Sequence, residues 1–152
     1  MPVNTWIGSE LNMEDGFFYF NEACLSEIEN AITLIRNNPL PLLMLHPSNF
    51  YMPRCKKLID SVFDCLENGF GFCLLDRLPL EDMTDSEAKS IYWLLSQMLG
   101  RPVAQKWCDG RMLYSVTDLG QPSGNGVRPD VTNEEQSFHT DNSYNICPPN
   151  IV

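Results

Sequence analysis

A chain of 152 residues has room for one domain with a real core. Hydrophobic content of 43% and aromatic content of 11% fit a globular protein and exclude a disordered one. A net charge of −10, from 10 basic and 20 acidic side chains, argues against nucleic acid or an anionic membrane as a partner.

Residues 1–20 mix Trp6, Phe17, Phe18, Tyr19 and Phe20 with Gly8 and Gly16, and read as a short strand, a turn and a docking segment. From Glu22 to Asn37 the apolar residues Leu25, Ile28, Ile32 and Ile35 recur at helical spacing, with Asn21 as N-cap and Pro39 ending the pattern. Leu40-Pro41-Leu42-Leu43-Met44-Leu45 is short, apolar and bounded by prolines, so it is expected as an extended buried piece. His46 stands before Pro47, in backbone biased away from helix. A second helix is expected from about Pro53, suited to the first helical position, to Glu67. Its apolar face is Cys55, Leu58, Ile59, Val62, Phe63 and Leu66, and Asn68-Gly69 closes it. Phe70 to Leu75 reads as a buried strand. Thr84-Asp85-Ser86-Glu87 is a capping box that opens a third helix with the face Ala88, Ile91, Tyr92, Leu95, Met98 and Leu99. Gly100 and Pro102 stop it.

The pattern then changes to strands. Val103–Cys108 and Arg111–Thr117 flank Asp109-Gly110, a pair of residues that favours a tight hairpin. Residues 118–135 hold Gly120, Pro122, Gly124, Gly126 and Pro129 and are expected as a long mobile loop, of a length that is usually functional inside a compact domain. Helices come first and strands after, with no βαβ alternation and no repeat, so the class is α+β.

The six cysteines show no C-x-x-C spacing, and Cys24, Cys55, Cys65 and Cys73 lie in or beside apolar periodic segments as small hydrophobes. The N-terminus has no basic region followed by an apolar stretch, and no run of about 18 apolar residues is present. These features together fit a reducing cytoplasm and no membrane partner.

The chemistry-bearing feature is Phe138-His139-Thr140-Asp141-Asn142-Ser143-Tyr144. Two residues apart on a strand, His139 and Asp141 point to the same face and can grip one metal ion from one side. They are two members of the 2-His-1-carboxylate set that holds non-haem Fe(II) with positions left open. The same two residues also suit a plain His–Asp hydrogen bond at a strand end, or a Zn(II) site completed by water or a partner. The other histidine, His46, lies 93 residues before His139 and is read as a partly buried connector residue.

The sequence around the pair resembles the taurine dioxygenase (TauD/TfdA-like) family of Fe(II)- and 2-oxoglutarate-dependent oxygenases. The resemblance rests on Phe138-His139-Thr140-Asp141 followed by Cys147-Pro148-Pro149. It extends to Asn68-Gly69-Phe70-Gly71-Phe72, Leu99-Gly100-Arg101-Pro102, Tyr114-Ser115-Val116-Thr117-Asp118 and Trp6-Ile7-Gly8, in matching order and spacing. It covers nearly the whole chain as the N-terminal half of such an enzyme. It implies a helical and extended cap leading into a double-stranded β-helix (jelly-roll, clavaminate synthase-like) core that this chain carries only in part. Residues 1–102 would be the helix-rich cap and first strand, and 103–152 the entry hairpin, active-site loop and first metal-bearing strand.

By that resemblance His139 and Asp141 are catalytic iron ligands, Fe(II) is the cofactor, 2-oxoglutarate the cosubstrate, and O2 oxidises a small-molecule substrate. Asn142 and Tyr144 flank the metal pair and are candidates for lining the substrate pocket. The family's second histidine, and the arginine that pairs with the 2-oxoglutarate carboxylate, are expected beyond Val152. The chain is therefore expected to be an N-terminal fragment, inactive alone. The alternative is a truncated, catalytically inactive homologue that serves as a binding or structural module.

Overall fold

Asn21 starts the first helix of the computed structural model as its sequence suggests: its side-chain oxygen accepts from Cys24 N at 3.0 Å. The structure describes residues 5–105, 109–122, 124, 126–135, 137, 139, 141 and 146–152. They fall into two compact units, Met1–Arg101 and Pro102–Val152.

In the first unit, helix α1 (Glu22–Asn37) buries Cys24, Ile28, Ala31 and Ile32. Leu25 and Ile35 flank this stripe and are half-buried. Helix α2 (Pro53–Asn68) begins at the proline and buries Cys55, Ile59 and Val62. Its preceding residue, Met52, supplies no side-chain cap. Glu27 of α1 does so instead, its carboxylate accepting from Arg54 N at 2.9 Å and Cys55 N at 2.9 Å. A negative charge there meets the positive end of the helix dipole and satisfies two N–H groups left without intrahelical partners. Gly69 closes α2 because a Cβ at that position would stand 2.8 Å from the Cys65 carbonyl oxygen.

Helix α3 (Asp85–Leu99) opens with both bonds of the capping box: Glu87 N donates to Thr84 Oγ1 at 3.3 Å and Thr84 N to the Glu87 carboxylate at 2.8 Å. Its buried side is Glu87, Ser90, Ile91, Trp93, Leu94 and Leu95. The expected face was turned too far, since Tyr92 is 58% exposed while Leu94 is 0% exposed. The amphipathic Trp93 shifts the stripe: its indole N–H donates to the Leu45 carbonyl at 3.2 Å, which fixes that side inward. The three helices pack on one another, and their shared interior holds the large side chains Ile28, Leu45, Ile59, Ile91 and Leu94.

Two expectations for the connecting segments are corrected. Leu40–Leu45 is not a buried extended piece: Leu42–Met44 form a 3-10 turn that leaves Leu43 and Met44 exposed and buries Leu45 alone. The strand expected over Phe70–Leu75 is only β2 (Leu74–Leu75), and it is exposed. It pairs in parallel with β1 (Phe17–Phe18), in the register Phe17 with Leu74 and Phe18 with Leu75. His46 is exposed rather than partly buried, and its Nδ1 accepts from Ser48 N at 3.2 Å to cap the short turn Pro47–Asn49.

In the second unit the turn at Asp109-Gly110 is present. Gly110 has φ +65°, the Asp109 side chain accepts from Arg111 N at 3.0 Å, and Gln105 N donates to the Arg111 carbonyl at 2.7 Å. Neither arm of the expected hairpin is a strand among the described residues. An isolated two-stranded hairpin is marginal without a third strand or a packed face. Among the described residues no helix is long and apolar enough to cross a membrane.

Candidate functional site

The second unit carries the sequence's candidate metal pair and the loop before it. That loop is tied at its base. Leu119 N donates to the Val131 carbonyl at 3.0 Å, beside a short 3-10 turn over Pro129–Val131. Asp130 adds a second tie, hydrogen-bonded by the Tyr114 side chain and by Arg128 Nε at 2.9 Å. Burial pushes the Asp130 carboxyl up, but Tyr114 and Arg128 together outweigh it and hold the group below the usual carboxylate range. The segment between these ties turns through glycines with left-handed backbone, Gly120 (φ +64°), Gly124 (φ +102°) and Gly126 (φ +83°).

His139 and Asp141 come together: His139 Nε2 lies 3.0 Å from Asp141 Oδ1. Among the described residues neither is assigned to a strand, and Asp141 sits in a turn. Both side chains are about half exposed, 48% and 45%. The other ring nitrogen, Nδ1, lies 2.9 Å from the Ser137 carbonyl oxygen. A carbonyl oxygen can only accept, so Nδ1 carries a hydrogen and donates it, and Nε2 is the nitrogen that faces Asp141.

This geometry bears on both sequence readings of the pair. Nε2 and a carboxylate oxygen at 3.0 Å are within hydrogen-bond distance, and the same two atoms are placed to share one cation. The donor set fits a divalent first-row metal, with one imidazole nitrogen and one carboxylate oxygen. The Nδ1–H bond to a backbone carbonyl is the outer support that metal-ligating histidines commonly have. Among the described residues no group of three His, Cys, Asp or Glu side chains is placed to hold a metal. Asn142 and Tyr144, the substrate-pocket candidates, lie outside the described residues, as do Phe138 and Thr140.

Reading the sequence did not find the part played by Ser137, because a backbone carbonyl leaves no mark in residue identity. It also missed the Tyr114–Asp130 tie, although an aspartate following Arg128-Pro129 after a glycine-rich stretch is a usable hint of a loop anchor.

The chain is similar over 126 residues to FR-33289 synthase of Streptomyces rubellomurinus, with 29% identity. The similar region is 82% of this chain and 37% of the synthase, so the chain spans little more than a third of that relative's length. No family model matches the chain. The finding is a distant similarity to that synthase.

Proposed function

We propose that this chain is the N-terminal part of an Fe(II)- and 2-oxoglutarate-dependent dioxygenase that hydroxylates a small molecule, with His139 and Asp141 as two of its three iron ligands. The observation that carries this reading is the 3.0 Å approach of His139 Nε2 to Asp141 Oδ1, with Nδ1 already committed to the Ser137 carbonyl. The distant similarity to a synthase supports an enzyme of biosynthesis. When bound, Fe(II) with O2 and 2-oxoglutarate supplies the oxidising power.

The chain's own residues do simpler work. His139 offers Nε2 as a neutral donor, and Ser137 holds the ring in the required tautomer and orientation. Asp141 offers an anionic oxygen beside it, which lowers the net positive charge of the centre. The loop closed by Leu119–Val131 and Tyr114–Asp130 has a tied base and a glycine-containing tip, the arrangement of a segment that covers a site and keeps water out. The third metal ligand and the arginine for 2-oxoglutarate come from sequence outside these residues.

Anaerobic Fe(II) titration of the wild-type and His139→Ala proteins, with and without 2-oxoglutarate, tests the reading. Iron affinity is expected to fall at least about tenfold in the variant, in line with the loss seen when metal sites lose support. Iron binding indifferent to His139→Ala removes the proposal.

A further inference from the structure

The end of α2 gathers two thiols at a junction of the first unit. The Cys65 carbonyl accepts from Gly69 N at 3.0 Å and Gly71 N at 3.3 Å, so this residue anchors the turn that leaves the helix. Its thiol also reaches across the turn, with Sγ 3.5 Å from the Phe72 carbonyl oxygen. The next residue is Cys73. A carbonyl oxygen stands about 2.8 Å from the following Cα by standard bond lengths, which puts Cys65 Sγ within roughly 6 Å of Cys73 Cα. In a disulfide a sulphur stands roughly 4 Å from its partner's Cα, so rotation of the two side chains has about 2 Å left to close. Both thiols are half-buried and so within reach of a small solute. Burial, and then the proximity of Cys65, push the Cys73 thiol up, in keeping with two sulphurs that sense one another.

Cys24 and Cys55 supply a contrast inside the same unit. Cys55 Sγ is likewise 3.5 Å from a carbonyl oxygen, that of Cys24, but these residues are only 0% and 1% exposed. Burial pushes the Cys55 thiol far up, so that pair is sealed and inert.

We propose that Cys65 and Cys73 form a reversible oxidation site, closing to a disulfide when a hydroperoxide reaches the end of α2. The Cys65 sulphur attacks the peroxide oxygen. The O–O bond breaks, an alcohol or water leaves, and Cys65 becomes a sulfenic acid. The Cys73 sulphur then attacks Cys65 Sγ; the S–S bond forms, the S–O bond breaks, and the departing hydroxide takes the proton Cys73 has lost. Two thiols give up two electrons and two hydrogens in all, and the peroxide is reduced by the same two electrons. The bond replaces a weak S–H···O contact with a covalent tie from α2 to the start of β2. The turn it spans also holds the N-terminal segment, since Trp6 Nε1 donates to the Phe70 carbonyl at 2.8 Å and the Trp6 ring stands edge-on to Phe72.

Trypsin isolates the pair in one peptide, Leu58–Arg77, which contains Cys65 and Cys73 and no other cysteine. The test treats the full chain with a stoichiometric dose of hydrogen peroxide, alkylates it after denaturation, and weighs this peptide. The expected result is a peptide lighter by two hydrogens with no alkyl label, restored to two labels by dithiothreitol, while Cys24 and Cys55 remain fully alkylated. In Cys73→Ser, checked for an unchanged circular dichroism spectrum, Cys65 is instead trapped as a sulfenic acid by dimedone. A peptide that keeps both labels after peroxide, that takes up oxygen without cross-linking, or that is joined to Cys147 of another chain overturns the proposal.

Discussion

Arg36, in the last turn of α1, holds the carboxylate of Glu87, in the first turn of α3, with two bonds: Nε to Oε1 at 2.5 Å and Nη2 to Oε2 at 3.2 Å. The same carboxylate accepts from Thr84 N, so one side chain completes the capping box and joins two helices 51 residues apart in sequence. Each charge also suits its helix end, a cation at the C-terminus of α1 and an anion at the N-terminus of α3.

The arrangement sets an acid limit on stability. The Arg36 hydrogen bond, followed by the Thr84 N–H, draws the Glu87 carboxyl from its usual value of 4.5 down to about 2, against a desolvation that pushes it up. A group lowered in the folded state stabilises fully above its unfolded value, and that contribution disappears as pH falls toward the folded one. Thermal midpoints followed by circular dichroism are therefore expected to drop between pH 4.5 and about 2. Glu87→Gln should flatten that part of the profile, and adding Arg36→Ala to it should cost less than Arg36→Ala alone. Coincident acid profiles for wild type and Glu87→Gln would sink the assignment.

Glu27 makes a different prediction. Its carboxylate caps α2 from outside, on Arg54 N and Cys55 N. Glu27→Ala leaves those groups to water and is expected to cost about 1 kcal/mol, the ordinary value of a helix cap. Glu27→Gln keeps an acceptor oxygen and should cost less. Urea unfolding of both variants measures this, and equal stability of Glu27→Ala and wild type would show that the cap contributes nothing.

The turned face of α3 can be checked by a pair of truncations. Leu94 is fully buried, and Leu94→Ala is expected to cost about 2 to 5 kcal/mol. Tyr92 is largely exposed, and Tyr92→Ala should stay within about 0.5 kcal/mol of wild type. The sequence-based face, which includes Tyr92 and omits Leu94, requires the opposite order. Chemical denaturation of the two variants decides between them.

These cases show where sequence was a sufficient guide. Asn21, Pro53 and the Thr84–Glu87 box act within a few residues of themselves, so local chemistry placed all three helix starts. Tyr92 and Trp93 are adjacent, bulky and amphipathic, and the partner of the inward one, the Leu45 carbonyl, lies 48 residues away. The cap from Glu27 is equally invisible, since its partners lie 27 and 28 residues away. At the candidate site the sequence singled out His139 and Asp141, and the structure has their side chains 3.0 Å apart. The Ser137 carbonyl that holds the ring does not follow from side-chain identity.

Asp141→Asn separates the metal reading from a plain hydrogen bond. Asparagine is nearly isosteric and its amide N–H can donate to the lone pair of His139 Nε2, so the approach of the two side chains survives while the negative charge is lost. Both groups are about half exposed, and a surface pair of this kind is worth about 0 to 1 kcal/mol, so without metal the variant should melt close to wild type. An ion that binds only the folded protein adds about 2.7 kcal/mol at a free concentration one hundred times its dissociation constant. Anaerobic melts with saturating Fe(II) are therefore expected to shift wild type upward and leave Asp141→Asn nearly unmoved. If both proteins shift equally, the carboxylate charge is not a metal ligand, and the pair is no more than His139 leaning on its neighbour.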